Sequence, residues 1–181
     1  MGSVHALPII SKRRITLSME SVDDRISHPG AVSRYLPLIA WMAFISFASS
    51  ASFSAPNTSS VIGPLLKWLF PNASEETLIF MHFLLRKAGH FLEYAILGFL
   101  SGRAFSNSPK QSVRKQWIGI SAALIIVYAL LDELHQSFVP SRTASLSDSL
   151  VDIAGGITAL MIFRARVLKT RLQRVRSRPS P

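Results

Sequence analysis

From Trp117 to Val139 the chain runs through a largely apolar stretch, uninterrupted from Ala122 to Leu131 and closed by Pro140. A segment of that length can span the roughly 30 Å hydrocarbon core of a bilayer as a helix. In lipid the backbone must satisfy its own hydrogen bonds, so a lone spanning segment is helical. Proline lacks the amide hydrogen that the next turn needs, and the helix stops there.

Three other stretches repeat the pattern: Leu36 to about Phe53, Ala88 to about Phe105, and Ser145 or Leu146 to about Phe163. Apolar residues are 49% of the chain, yet the mean hydropathy is only +0.32. The excess is therefore concentrated in these runs, as in membrane spans. The expected fold is an all-α membrane protein, a bundle of about four transmembrane helices with both termini cytoplasmic. Three regions follow: a basic, disordered cytoplasmic tail over 1–35, a transmembrane domain over 36–165 and a basic cytoplasmic tail over 166–181. The first run is the weakest, because its second half is rich in Ser and Ala; Ala48, Ser50 and Ala51 leave a cleaved signal peptide as an alternative. Met19 is an alternative start. The absence of cysteine excludes disulfides and thiolate chemistry and says nothing of compartment.

Between the first two runs, Ser54–Asn72 contains Pro56, Pro64 and Pro71 and an apolar stretch, Val61–Phe70, too short to span. It reads as an interfacial segment with Trp68 at headgroup level. Asn72, three residues before Glu75, resembles a capping box opening a helix that passes Arg86 and Lys87 into the second span.

The net charge of +10 is a topology signal. Lys and Arg accumulate on the cytoplasmic side of membrane proteins. The N-terminal tail holds five, the 106–116 turn with Arg103 four, and the C-terminal tail seven, against four in the other connections (Lys67, Arg86, Lys87 and Arg142). The bias alternates correctly for four spans with both ends inside. Nucleic acid is not expected as a partner, since no soluble face carries the charge.

Five acidic residues fall within the expected spans: Glu93, Asp132, Glu133, Asp148 and Asp152. A charge at mid-bilayer costs roughly 2.5–3.5 kcal/mol even on lenient scales, so these should turn inward, pair, or reach the interface. At 1.5 Å per residue, His90 lies about 4–5 Å from the outer end of its span and Tyr94 about 10 Å. On the third span Gln136 lies about 4–5 Å, His135 about 6 Å and Asp132 about 10 Å below the outer end; on the fourth, Asp148 is about 3 Å in and Asp152 about 9 Å in. Three segments thus bring polar groups to one leaflet. Facing agrees: Lys87, His90 and Tyr94 form one stripe, Asp132, His135 and Gln136 a second, and Asp148, Asp152, Gly155 and Ala159 a third, whose small residues admit a neighbouring helix. Glu133 is turned about 100° from Asp132.

At Lys87–Tyr94 (KAGHFLEY) and from Asp132 through Asp152 to Gly156 (DELHQSFVPSRTASLSDSLVDIAGG) the sequence resembles the VanZ-like family of small bacterial membrane proteins. The resemblance covers roughly residues 36–165. It implies a four-helix membrane protein and, through the family's namesake, a link to resistance to the glycopeptide teicoplanin; it implies no mechanism. The arginine turn reads Pro140-Ser141-Arg142 where the family often has Gly before Arg, and Asp152 stands where Asn is common, which adds a negative charge.

The cluster admits two readings. In one, Lys87 and Arg142 pair with Asp148 and Asp132 and merely tie three helices together. In the other it is an outward-facing pocket for a cell-envelope lipid or lipid-linked cell-wall precursor. There Arg142 and Lys87 bind a phosphate or carboxylate, His135 or His90 transfers a proton, and Asp132, Asp148 or Asp152 orients the histidine or acts as base. Gln136, Tyr94 and Glu133 complete the binding set. Such a pocket serves an enzyme or a binding module equally, and a dimeric small transporter is a third class. A divalent metal is conceivable through the Asp and His groups, but no HExxH or comparable spacing is present.

Overall fold

The computed structural model describes residues 30–50, 55–140 and 145–177. Among them there are six helices and no strand: α1 (Ala31–Ala48), α2 (Ala55–Leu69), α3 (Glu75–Ser106), α4 (Gln111–Lys115), α5 (Trp117–Ser137) and α6 (Leu146–Arg176). α1, α5 and residues Leu146–Thr170 of α6 are long and apolar enough to cross a membrane. The 21 residues of α5 give a rod of about 31 Å, the thickness of a hydrocarbon core.

The burial pattern is that of a chain whose outer solvent is lipid. Val127, Leu131, Leu150 and Ile162 are exposed, while Ser101, Ser121, Asp132, Gln136 and Asp152 are buried. In water that arrangement would leave apolar faces far larger than monomeric soluble proteins tolerate.

The span expected over Ala88–Phe105 lies inside α3, the longest helix at 32 residues. α3 has the length of a span but is not among the three apolar ones, because Glu93 and Arg103 interrupt that stretch. It compensates by occupying the centre of the bundle, against α6 above all and also against α5, α1 and α2. Trp41 Nε1 donates to the Glu93 carbonyl at 2.8 Å, and the Tyr128 hydroxyl donates to the Met42 carbonyl at 2.5 Å, so α1 is tied to both α3 and α5.

α3 and α6 approach backbone to backbone. A Cβ added at Gly98 would overlap the carbonyl of Gly156, one added at Gly155 would overlap the carbonyl of Phe91, and one at Gly156 would run into Ile125. Small residues at a helix crossing let main chains touch, which is how helices associate where no hydrophobic drive exists between them. Around this contact Leu97, Ala104, Trp117, Ile125 and Leu160 form the apolar core.

Four boundaries differ from the sequence reading. α1 begins at Ala31, so residues 31–35 are helix rather than tail, and Arg34 on it is buried; residues 1–29 lie outside the described residues. α3 starts at Glu75 with Ser74, not Asn72, as its cap: the Ser74 hydroxyl accepts from the Thr77 amide at 3.2 Å. α2 is a true helix through Pro64, with Trp68 and Val61 exposed. Finally, α6 continues to Arg176, beyond the expected end of the span near Phe163, because residues 164–176 contain no Gly or Pro and are rich in Arg, Leu and other good helix formers.

Candidate functional site

Polar residues from four helices gather at one end of the bundle, where the start of α6 meets α3, the end of α5 and the end of α1. α3 contributes Lys87, His90 and Tyr94 from a single stripe. Lys87 Nζ forms an ion pair with Asp148 Oδ1 and donates to Ser147 Oγ at 3.1 Å. His90 stands between two carboxylates: its Nδ1 is 3.2 Å from Asp152 Oδ1, within ion-pair range though not aligned as a hydrogen bond, and its Nε2 is 4.0 Å from Asp148 Oδ2. The Gly155–Phe91 backbone contact, one residue from His90, brings Asp152 and His90 within reach of each other.

Asp152 is completely buried, and neither carboxylate oxygen has a hydrogen-bond partner among the described residues. Asp132 and Asp148 both act on it electrostatically. Tyr94 is also fully buried, and its hydroxyl has no partner among the described residues. Buried polar groups in proteins are nearly always satisfied, and one left unpaired costs about 1–3 kcal/mol. Several such groups gather here: His90 Nδ1, the Tyr94 hydroxyl and both Asp152 oxygens.

α5 supplies three buried side chains. Gln136 Nε2 donates to Asp132 Oδ2 at 3.0 Å and lies 3.4 Å from Ser49 Oγ at the end of α1. Glu133 Oε2 accepts from the Ser145 amide at 2.6 Å, which satisfies a backbone donor at the entry to α6; its Oε1 has no partner among the described residues. Glu133 therefore belongs to the cluster despite its turn from Asp132. His135 does not, and its side chain is exposed. The buried face of α5 runs through Ile125, Ala129, Asp132, Glu133 and Gln136. At 100° per residue His135 sits about 105° from the middle of that face, so sharing an i, i+3 step with Asp132 did not bring it inward. Arg142 lies outside the described residues.

Beside the cluster lies a cavity of about 180 Å³ between α1, α2 and α3, lined by Ser49, Thr58, Ile62, Arg86, His90 and Glu93 among others. Arg86, His90 and Glu93 form a second stripe on α3, offset from Lys87, His90 and Tyr94. His90 belongs to both, touching the buried carboxylates on one side and the cavity on the other. The sequence reading missed Arg86, Ser49 and Thr58 as members of this region. The one available signal was the Ser-rich end of the first run, whose hydroxyls weaken a span but suit a polar lining. A larger hollow of about 550 Å³ between α2 and α3 is lined by Lys67, Glu75 and His82 among others. It does not touch the cluster, and its Lys67–Glu75 pair is largely exposed. Among the described residues no three His, Asp or Glu side chains converge so as to hold a metal ion.

Comparison with curated proteins and with solved structures returned no match. The profile of the VanZ/LLP1 family matches residues 35–169, a stretch that runs from α1 through most of α6 and takes in every site residue named above. With that match over well more than half of its 181 residues, the chain belongs to the VanZ/LLP1 family.

Proposed function

We propose that this VanZ-like membrane protein takes the polar headgroup of a cell-envelope amphiphile, a lipid or a lipid-linked cell-wall precursor, into the cavity beside His90. The single observation that carries the reading is the double placement of His90, with a fully buried aspartate on one side and, on the other, a cavity that Arg86 and Glu93 also line. An imidazole within ion-pair range of a carboxylate can move a proton to or from whatever occupies the cavity. The cavity measures about 180 Å³. Pockets that enclose whole drug-sized molecules run about 300–1,000 Å³. The cavity is therefore sized for a headgroup, with Ile62 and Leu85 in its wall to meet the apolar remainder.

In this reading α3 is the fourth crossing, both termini are cytoplasmic as the basic residues argue, and the cavity faces the outer leaflet of the inner membrane. Sequestering or altering an outer-leaflet precursor there would connect the protein to glycopeptide resistance. Lys87–Asp148 and Glu133–Ser145 are the structural part of the cluster, since each has its partner; Asp152 and His90 are the working part.

Native mass spectrometry of the purified full chain tests the reading. Wild type should retain an amphiphile that Gly89→Leu, which points a side chain into the cavity from a position with open space around it, and His90→Ala both lose. Equal retention by all three proteins would sink the proposal. Incubation with the retained species then separates enzyme from binder by turnover.

A further inference from the structure

Among the described residues the cation that lines the cavity is not the lysine that the sequence favours. Lys87 is engaged with Asp148 and Ser147 on the α6 side. Arg86, the preceding residue, points about 100° away and lines the cavity together with His90. Its Nη1 is buried, with no hydrogen-bond partner among the described residues. Glu93, on the same wall, has an interaction of its own, and its backbone carbonyl is held by Trp41.

We propose that Arg86 is the ligand-binding residue of this cavity and that the group it binds is an oxyanion, a phosphate or a carboxylate, borne by the amphiphile. The inference deepens the headgroup-pocket reading and rests on it. A guanidinium offers a planar fork of donors that matches such oxygens two at a time. A buried donor left without a partner carries a desolvation cost, and a bound oxyanion removes that cost. The Ser49 and Thr58 side chains supply further hydroxyl lining, and Ile62 and Leu85 receive the first carbons of the ester. A phosphate with its first substituent atoms fits 180 Å³.

The test is binding of three probes to the full chain in a neutral detergent: dihexanoyl phosphatidate, dihexanoylglycerol and inorganic phosphate. Phosphatidate should bind wild type at least about tenfold more tightly than dihexanoylglycerol, the effect of one charge-assisted hydrogen bond or more. Arg86→Gln should remove that margin, and Arg86→Lys, which keeps the charge and loses the fork, should keep part of it. Inorganic phosphate bound as tightly as phosphatidate, with the same dependence on Arg86, would support the oxyanion site and assign its source as a soluble ion. Phosphatidate bound no more tightly than dihexanoylglycerol by wild type would overturn the inference whether or not the variants fold, as would full affinity in Arg86→Gln. If in that case dihexanoylglycerol binding still requires His90, the headgroup pocket stands and only the oxyanion falls.

Discussion

α3 and α6 meet twice, in opposite ways. Around Gly98 and Gly156 they touch through bare backbone, with no side chain between them. A few turns away they meet through Lys87, His90, Asp148 and Asp152, where charges face one another and both oxygens of a buried carboxylate lack a hydrogen bond among the described residues. The first contact is shape, and shape is what holds helices together in a solvent as apolar as themselves. The second contact is chemistry. Because the glycine crossing fixes the spacing of the two helices, the charged end need not hold the pair together, and its unsatisfied groups can be retained for binding.

The comparison breaks first at the glycines. Gly98→Leu should cost about 3 kcal/mol or more, the upper range for overpacking, since its Cβ would meet the Gly156 carbonyl rather than a flexible side chain. A melting temperature in detergent unchanged from wild type would mean that the crossing does not organise the bundle. As a control, Gly119→Ala has open space and should be neutral or slightly stabilising.

Lys87→Met should come next, at about 1–3 kcal/mol. It leaves Asp148, only partly shielded, without its cation; breaking a fully buried pair costs about 3–5 kcal/mol, whereas membrane polar contacts average about 0.6. Restoration of the melting temperature by Asp148→Asn in the same chain would identify the loss as a stranded charge. Failure of that rescue would show that Lys87 acts through something other than Asp148.

Asp152→Asn sharpens the contrast most, because its expected sign is reversed. Removing a buried carboxylate without hydrogen-bond partners among the described residues should leave stability unchanged or raise it by up to about 1 kcal/mol, while amphiphile retention falls. Sites that work are often strained, and relieving the strain stabilises at the expense of function. A drop in melting temperature of several degrees would instead make Asp152 structural. The smallest effect belongs to His135→Ala, exposed on α5, which should stay within about 0.5 kcal/mol of wild type and leave ligand retention intact. Loss of retention there would return His135 to the site.

The solvent and the helices were legible in the order of residues alone. The apolar run around Ala122–Leu131 can be satisfied in lipid only as helix, and the stripes Lys87–His90–Tyr94 and Asp148–Asp152–Gly155 follow from 3.6-residue periodicity. Those patterns are local, and local patterns survive folding. Which polar residue faces which partner is not local. The 105° between His135 and the buried face of α5 is set by how α5 rolls against α3 and α6. The assignment of Lys87 to Asp148 and of Arg86 to the cavity depends on where α1 and α2 lie against α3. Only the packing of helices distant in sequence fixes those rotations, and a rotation of one residue, about 100°, exchanges the lysine of an ion pair for the arginine that lines a cavity.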